Sequence, residues 1–458
     1  MRTTDARTLA KACQGRVLGD NGALCDNVAI DSRKARPGAL FVALKGEKAD
    51  GHDFIDKAFS AGAGIVLSER EIEPPDGCAL ILVKDTRLAL GDIARWYRST
   101  LDIKVVGITG SVGKTSTKEF VYAVLSQKYK CYKTQLNYNN DLGLPLTVLS
   151  IEPDCECAVL EMGMNHFGEI DYLTRIACPD VAVITNIGVA HIEHLGSREN
   201  ILKAKLEILG GLKDSGTVAI NGDEPLLWNA RSGMLSGRKV YTYGLENESV
   251  DLFGKNVKSE NDGMSFDSRG LMEIDARIPA LGLHNVQNAL CAICVGSVMG
   301  LSPEEIKRGL LSYEQIEKRL NFIKSGEITL IDDTYNANPD SMRAAIKVLM
   351  SSAGQRKIVV LGDMLELGSY APKAHENLGD ELNEAGVNAV FLKGENTRFT
   401  LARVSGKIKD AFFFDSDEAL TESLRSYAKA GDVILVKGSH GMRMENILKL
   451  WKAGEKDC

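Results

Sequence analysis

The segment Gly107-Ile-Thr-Gly110-Ser111-Val112-Gly113-Lys114-Thr115-Ser116 sets three glycines around a lysine and two adjoining hydroxyls. It follows the apolar run from Ile103 to Thr109 and opens a helical pattern reaching about Lys128. A strand, a glycine turn and a helix in that order present free backbone N–H groups at a helix N-terminus, a cradle for phosphate oxygens. Lys114 is placed to reach terminal phosphates, and the Thr115 hydroxyl to ligate magnesium. The spacing is TGxxGKT rather than the commoner GxxxxGKS/T, with Ile at 108 and the glycine at 110.

Other groups sit where strands should end. Glu161 closes the run Ala158 to Met162, and a carboxylate at such an end is suited to a hard cation. The segment Thr185-Asn186 to His191 follows the run Val181 to Ile187. His191 and His194 have i, i+3 spacing, but two histidines without a nearby cysteine pair make a poor zinc site. At 100° per residue, Ile201, Leu202, Leu206, Ile208 and Leu209 share one helix face. Lys205 falls in the middle of that stripe, whereas Lys203 and Glu207 lie opposite as a solvated i, i+4 pair. Burial favours the neutral amine, which is nucleophilic and open to carbamylation by carbon dioxide; the alternative is a lysine that snorkels to solvent. Asn285 is suited either to a base edge or to capping its helix. Arg319 stands where a hinge is expected, and Asp332, Asp333, Asn336 and Asn338 form a polar edge after another strand. The loops around Ser32-Arg33 and Lys45-Gly46 read as turns.

The elements that must position these groups fall into three blocks. Residues 1–98 mix short apolar runs with helical stretches and read as a small α/β domain. Residues 99–318 alternate strands and helices, which predicts a mostly parallel sheet; within them 231–275 is polar, weakly periodic and read as a β-rich insertion. Residues 319–458 place strands at 328–331, 357–361, 389–392, 411–414 and 433–436 with helices between, a Rossmann-like pattern. The expected fold class is therefore α/β in three domains.

The 458 residues are 44% hydrophobic and 26% charged, ordinary globular composition. A net charge of -7 argues against a nucleic-acid partner. Ten cysteines without regular spacing read as reduced, packed thiols, and the lone Cys291–Cys294 pair lacks the second pair a zinc site needs. The first residues hold no signal-peptide pattern, and no apolar stretch approaches the roughly 18 residues of a membrane helix, so a soluble cytoplasmic protein is expected.

Together these segments resemble the Mur ligase family of bacterial peptidoglycan synthesis. The resemblance is carried by DSRKARPGALFVALKGE at 31–47, DGHDF at 50–54, GSVGKTS at 110–116, NYNNDLGLP at 137–145, EMGMNHFGEI at 161–170, HNVQNAL at 284–290, DDTYNANPDSM at 332–342 and LGDMLELG at 361–368. The DNPR motif of the members that add diaminopimelate or lysine is absent. The resemblance implies a central P-loop ATPase domain and a monomer that uses ATP to join D-alanyl-D-alanine to UDP-N-acetylmuramoyl-tripeptide through an acyl phosphate. It implies catalytic roles for Lys114, His191 and Lys205, with Gly110 to Ser116, Asn285, Arg319 and Asp333 on the nucleotide. Thr115 and Glu161 would hold one magnesium ion, and His191 with carbamylated Lys205 a second. Ser32, Arg33, Lys45, Gly46, Asn137, Asn139 and Asn140 would face the UDP-sugar-peptide. His440 stands where the family usually shows arginine. A competing reading is a phosphate-loop switch that hydrolyses nucleotide without ligation; the polar strand ends of the third block favour a domain that closes on substrate.

Overall fold

A computed structural model describes residues 1–46, 48–260 and 262–455. Glu47, the last residue of the first quoted segment, lies outside them. The N-terminal five-stranded sheet runs in the order Arg16–Gly19, Ala79–Leu82, Ala63–Ser68, Ala39–Val42, Asn27–Ala29, and only its first pair is antiparallel.

The central sheet has nine strands. Its parallel part passes from Cys131–Lys133 through Cys157–Glu161, Lys104–Thr109, Val181–Ile184, Thr217–Asn221 and Lys239–Gly244 to Leu252–Ser259. Val181–Ile184 is buried along its whole length. Such continuous apolar runs are what a sheet covered by helices on both faces requires. The polar stretch from 231 resolves as strands that extend this sheet. Its last two members, Met264–Gly270 and Ile274–Ile278, turn antiparallel. Ile274–Ile278 alternates buried and exposed residues, the period of two that a strand with one buried face requires.

The C-terminal sheet is ordered Asn321–Ser325, Ile328–Asp333, Val433–Lys437, Lys357–Gly362, Ala389–Lys393, Asp410–Phe414. It is parallel except for Asn321–Ser325, an edge strand with no buried residue, which the apolar-run reading passes over. Each sheet is packed against helices: one core joins the N-terminal sheet to one face of the central sheet, and separate cores fill the other central face and both faces of the C-terminal sheet.

The helix Arg198–Leu206 passes into a short 3-10 turn, Glu207–Gly210. Ile201, Leu202, Leu206 and Ile208 are buried, as the 100° projection requires. Glu207 departs from its expected pairing with Lys203. Its carboxylate accepts from Gly168 N at 2.9 Å and from Asp171 N at 3.3 Å, capping the helix Glu169–Ala177. Unsatisfied N–H groups at a helix N-terminus attract a carboxylate more strongly than an exposed lysine does.

Candidate functional site

Three parallel strand ends build the floor. Lys104–Thr109 runs into the glycine loop, and the helix Lys114–Leu125 follows at once. Gly110 lies so near Thr185, on the neighbouring strand end, that a Cβ there would fall 1.8 Å from the Thr185 hydroxyl. Asn186 grips the loop: its Oδ1 accepts from Ser111 N at 3.1 Å and Val112 N at 2.9 Å, and its Nδ2 donates to the Val112 carbonyl at 3.2 Å. The Ser111 hydroxyl accepts from Gly188 N at 2.9 Å. Two of the loop's N–H groups are thus held by protein, and the cradle is narrower than the sequence suggests. The N–H groups of Gly113, Lys114, Thr115 and Ser116 have no acceptor among the described residues. Lys114 Nζ donates to the Gly110 carbonyl at 2.8 Å, and burial lowers its pKa.

Glu161 ends the adjacent strand and is 2% exposed. Its N–H donates to Thr134 Oγ1 at 3.0 Å, and Oε1 accepts from Asn139 Nδ2 at 2.8 Å. Oε2 is buried with no hydrogen-bond partner among the described residues. Asn137 accepts from Asn139 N through its carbonyl at 2.8 Å. Asn140 Oδ1 accepts from Gly143 N at 2.8 Å, turning the chain into the helix Gly143–Leu149.

Lys205 is 1% exposed, and no hydrogen bond or ion pair reaches its side-chain amine among the described residues. Its pKa is lowered well below the ordinary lysine value, by burial first and by repulsion from Lys114 second. His191 adopts a left-handed backbone, φ 63. Its Nδ1 lies 3.1 Å from Glu366 Oε2 but makes no hydrogen bond. The ring of His194 stands 4.5 Å from that of His166.

From beyond the hinge, Arg319 Nη2 donates to Thr115 Oγ1 at 3.0 Å while its guanidinium covers the Tyr335 ring at 4.2 Å. Asp333 is held by Lys437 Nζ at 2.5 Å and by Leu320 N at 3.3 Å. Asn285 donates to the Leu281 carbonyl at 2.9 Å and accepts from Asn288 at 3.3 Å, and Asn288 in turn takes the Thr117 hydroxyl at 2.9 Å. The charge of Lys114 is felt with those of Glu161, Arg319, Glu366 and Lys205, Arg319 bonds Thr115 and Glu366 approaches His191, so these side chains form one charged neighbourhood. Ser32, Arg33, Lys45 and Gly46 do not join it: no hydrogen bond or ion pair among the described residues links them to the loop 110–116. Arg33 is paired with Asp31, and Gly46 N donates to the Ala49 carbonyl at 3.0 Å. Sequence reasoning missed Asn186, Asn288, Glu366 and Lys437 as members of the site. An asparagine directly after a strand end was the visible signal for the first of them.

These donors suit magnesium. Among the described residues no cluster of three or more His, Cys, Asp or Glu side chains could hold an ion by itself. Magnesium commonly takes one or two carboxylates and completes its shell with phosphates and water. An orphaned Glu161 oxygen, with a Thr115 hydroxyl in the first turn of the helix that follows the phosphate loop, fits that pattern.

Family models match almost the whole length of the chain. They are the Mur ligase family catalytic domain at 25–98, the Mur ligase middle domain at 108–296 and the Mur ligase glutamate ligase domain at 318–440. The chain belongs to the Mur ligase family. A Mur ligase of Bacillus subtilis (strain 168), the UDP-N-acetylmuramoyl-tripeptide–D-alanyl-D-alanine ligase, is 43% identical over 433 residues, 92% of each chain. The crystal structure of the Mur ligase MurF from Acinetobacter baumannii superposes with a TM-score of 0.91 at 32% identity, covering 99% of both chains. MurF ligase of Thermotoga maritima, in complex with ADP, gives 0.84 at 31% identity over 94% of this chain and 98% of that one.

Proposed function

We propose that this Mur ligase uses ATP to join D-alanyl-D-alanine to UDP-N-acetylmuramoyl-tripeptide, releasing ADP and phosphate. The observation that carries the reading is Lys114, at the head of the unpaired N–H groups of 113–116, interacting with the charge of Glu161, which keeps an unpartnered oxygen, while Arg319 reaches Thr115 from just before the C-terminal sheet. The likeness to the Bacillus ligase supplies the substrates.

The γ-phosphoryl group of ATP passes to the terminal carboxylate of the tripeptide. The amine of the dipeptide then attacks the acyl carbon, and phosphate leaves. Two anions must be pressed together in the first step, so positive charge is needed where charge develops. Lys114 and the free N–H groups supply it to the nucleotide, and Arg319 adds a second cation. When bound, magnesium neutralises the phosphates and polarises the transferring group. Thr115 and Glu161 would hold one ion, with Asn139 fixing the carboxylate so that Oε2 faces it. His191 and Lys205 would hold the second. A neutral, buried Lys205 amine adds carbon dioxide to give a carbamate and a proton, turning a misplaced cation into an anionic ligand. Asn285 and Asp333 would complete the nucleotide site. Ser32, Arg33, Lys45, Gly46, Asn137 and Asn140 would face the UDP-sugar-peptide.

The division of labour follows the blocks 1–98 for the UDP-substrate, 99–318 for ATP and 319–458 for the acceptor and closure. Closure excludes the water that would hydrolyse the acyl phosphate. The reading is of a monomeric cytoplasmic enzyme. Among the described residues no helix is long and apolar enough to cross a membrane. Its test is product formation from the three substrates, with one phosphate released per amide formed.

A further inference from the structure

We infer that Glu366, in the loop after the C-terminal strand Lys357–Gly362, is a positioning residue that orients His191 for metal binding. One coordination site would then be complete only when the C-terminal domain is docked. Glu366 Oε2 lies 3.1 Å from His191 Nδ1, across the boundary between the central and C-terminal domains. That is a hydrogen-bond length without hydrogen-bond geometry, and Nδ1 is buried with no other partner among the described residues. A turn of the ring lets Nδ1–H donate to the carboxylate and leaves Nε2 free as the ligand atom. Metal-binding imidazoles commonly donate their second N–H to a carboxylate, which fixes tautomer and ring direction.

Both residues adopt left-handed backbone, φ 63 for His191 and φ 62 for Glu366, a conformation that non-glycine residues hold only under constraint. The constraint on Glu366 is visible. His375 Nε2 accepts from Met364 N at 3.1 Å, and Ser439 Oγ accepts from Leu365 N at 2.8 Å. Gly368 lies against Glu193, two residues beyond His191, where a Cβ would fall 2.8 Å from the Glu193 Cγ. The segment 364–368 is thus bonded to its own domain and rests on the loop that carries His191. Glu366 remains half exposed, so removing its carboxylate leaves the core intact.

The inference rests on the proposed ligase reading. Manganese titrated into the ADP complex and followed by electron paramagnetic resonance tests it without turnover. Glu366→Ala is expected to weaken one manganese site by about 10–100-fold, the usual loss when such a partner is removed. Glu366→Gln, which still accepts a hydrogen bond, should keep affinity closer to wild type. The KM for the dipeptide should stay unchanged in both. Unaltered manganese binding in Glu366→Ala overturns the inference, as does a raised dipeptide KM with unaltered manganese binding, which would make Glu366 an acceptor contact. A wild-type protein that forms no product removes the ligase reading instead, so the two failures are distinct.

Discussion

Arg319 donates to the Thr115 hydroxyl at 3.0 Å, joining the first residues past the hinge to the phosphate loop. The two lie 204 positions apart in the chain. The buried Nε of the same guanidinium has no hydrogen-bond partner among the described residues, so a donor remains for an incoming anion. This contact ties the phosphate loop to the C-terminal domain, as the approach of Glu366 to His191 also does.

Lys114→Ala should lower kcat by about 10²–10³, the usual cost of losing one preorganised charge donor at a developing anion. Its one hydrogen bond among the described residues is to the Gly110 carbonyl, so the fold should survive. Circular dichroism and a phosphate-release assay check this; near-normal turnover in a folded variant removes the phosphate-loop assignment.

Lys205→Met should abolish ligation and at the same time raise the melting temperature of the ligand-free protein. The buried amine loses hydration and gains no hydrogen bond, whereas methionine fills a similar volume without that cost. Each kcal/mol recovered is worth about 2–4 °C in a domain of this size. Calorimetry in the absence of metal and nucleotide decides it, and a lower melting temperature contradicts the account of Lys205.

Lys205 and the loop 110–116 were legible in the sequence because their signals are local. A helix projection needs only nine residues, and a strand, glycine turn and helix are contiguous. The partners of these residues were not legible. Asn186 meets Ser111 and Val112 because Val181–Ile184 pairs directly with Lys104–Thr109, a neighbour relation that sheet order decides. Glu366 meets His191, and Lys437 meets Asp333, through domain docking and strand order of the same kind. Glu207 shows the local rule failing: its i, i+4 spacing to Lys203 was real, but a helix N-terminus 36–39 residues away in sequence was the stronger partner.

Acid should destabilise the protein below neutrality through His375. Burial lowers its pKa to about 4, so the native state stays neutral while the unfolded chain takes up a proton below about 6.5. Stability is therefore full above about pH 6.5 and falls as pH drops towards 4. His284, also lowered to about 4 by burial, adds a second such group. Each contributes a slope of at most about 1.4 kcal/mol per pH unit. In His375→Gln, urea unfolding at pH 7.5, 6 and 5 should show lower stability at pH 7.5 and a shallower decline; an unchanged slope contradicts this.

The central claim is tested most directly by acceptor selectivity. Purified protein is supplied with ATP, UDP-N-acetylmuramoyl-tripeptide and either D-alanyl-D-alanine or D-alanine at equal concentration, and nucleotide-linked product and phosphate are measured together. A site built around the dipeptide's amide leaves polar groups unpaired when that amide is missing, a mismatch worth about 10⁴ or more in selectivity. The account predicts UDP-muramoyl-pentapeptide from the dipeptide, one phosphate per amide bond and almost no product from D-alanine. Equal rates with the two acceptors, or phosphate released without any amide formed, would contradict it.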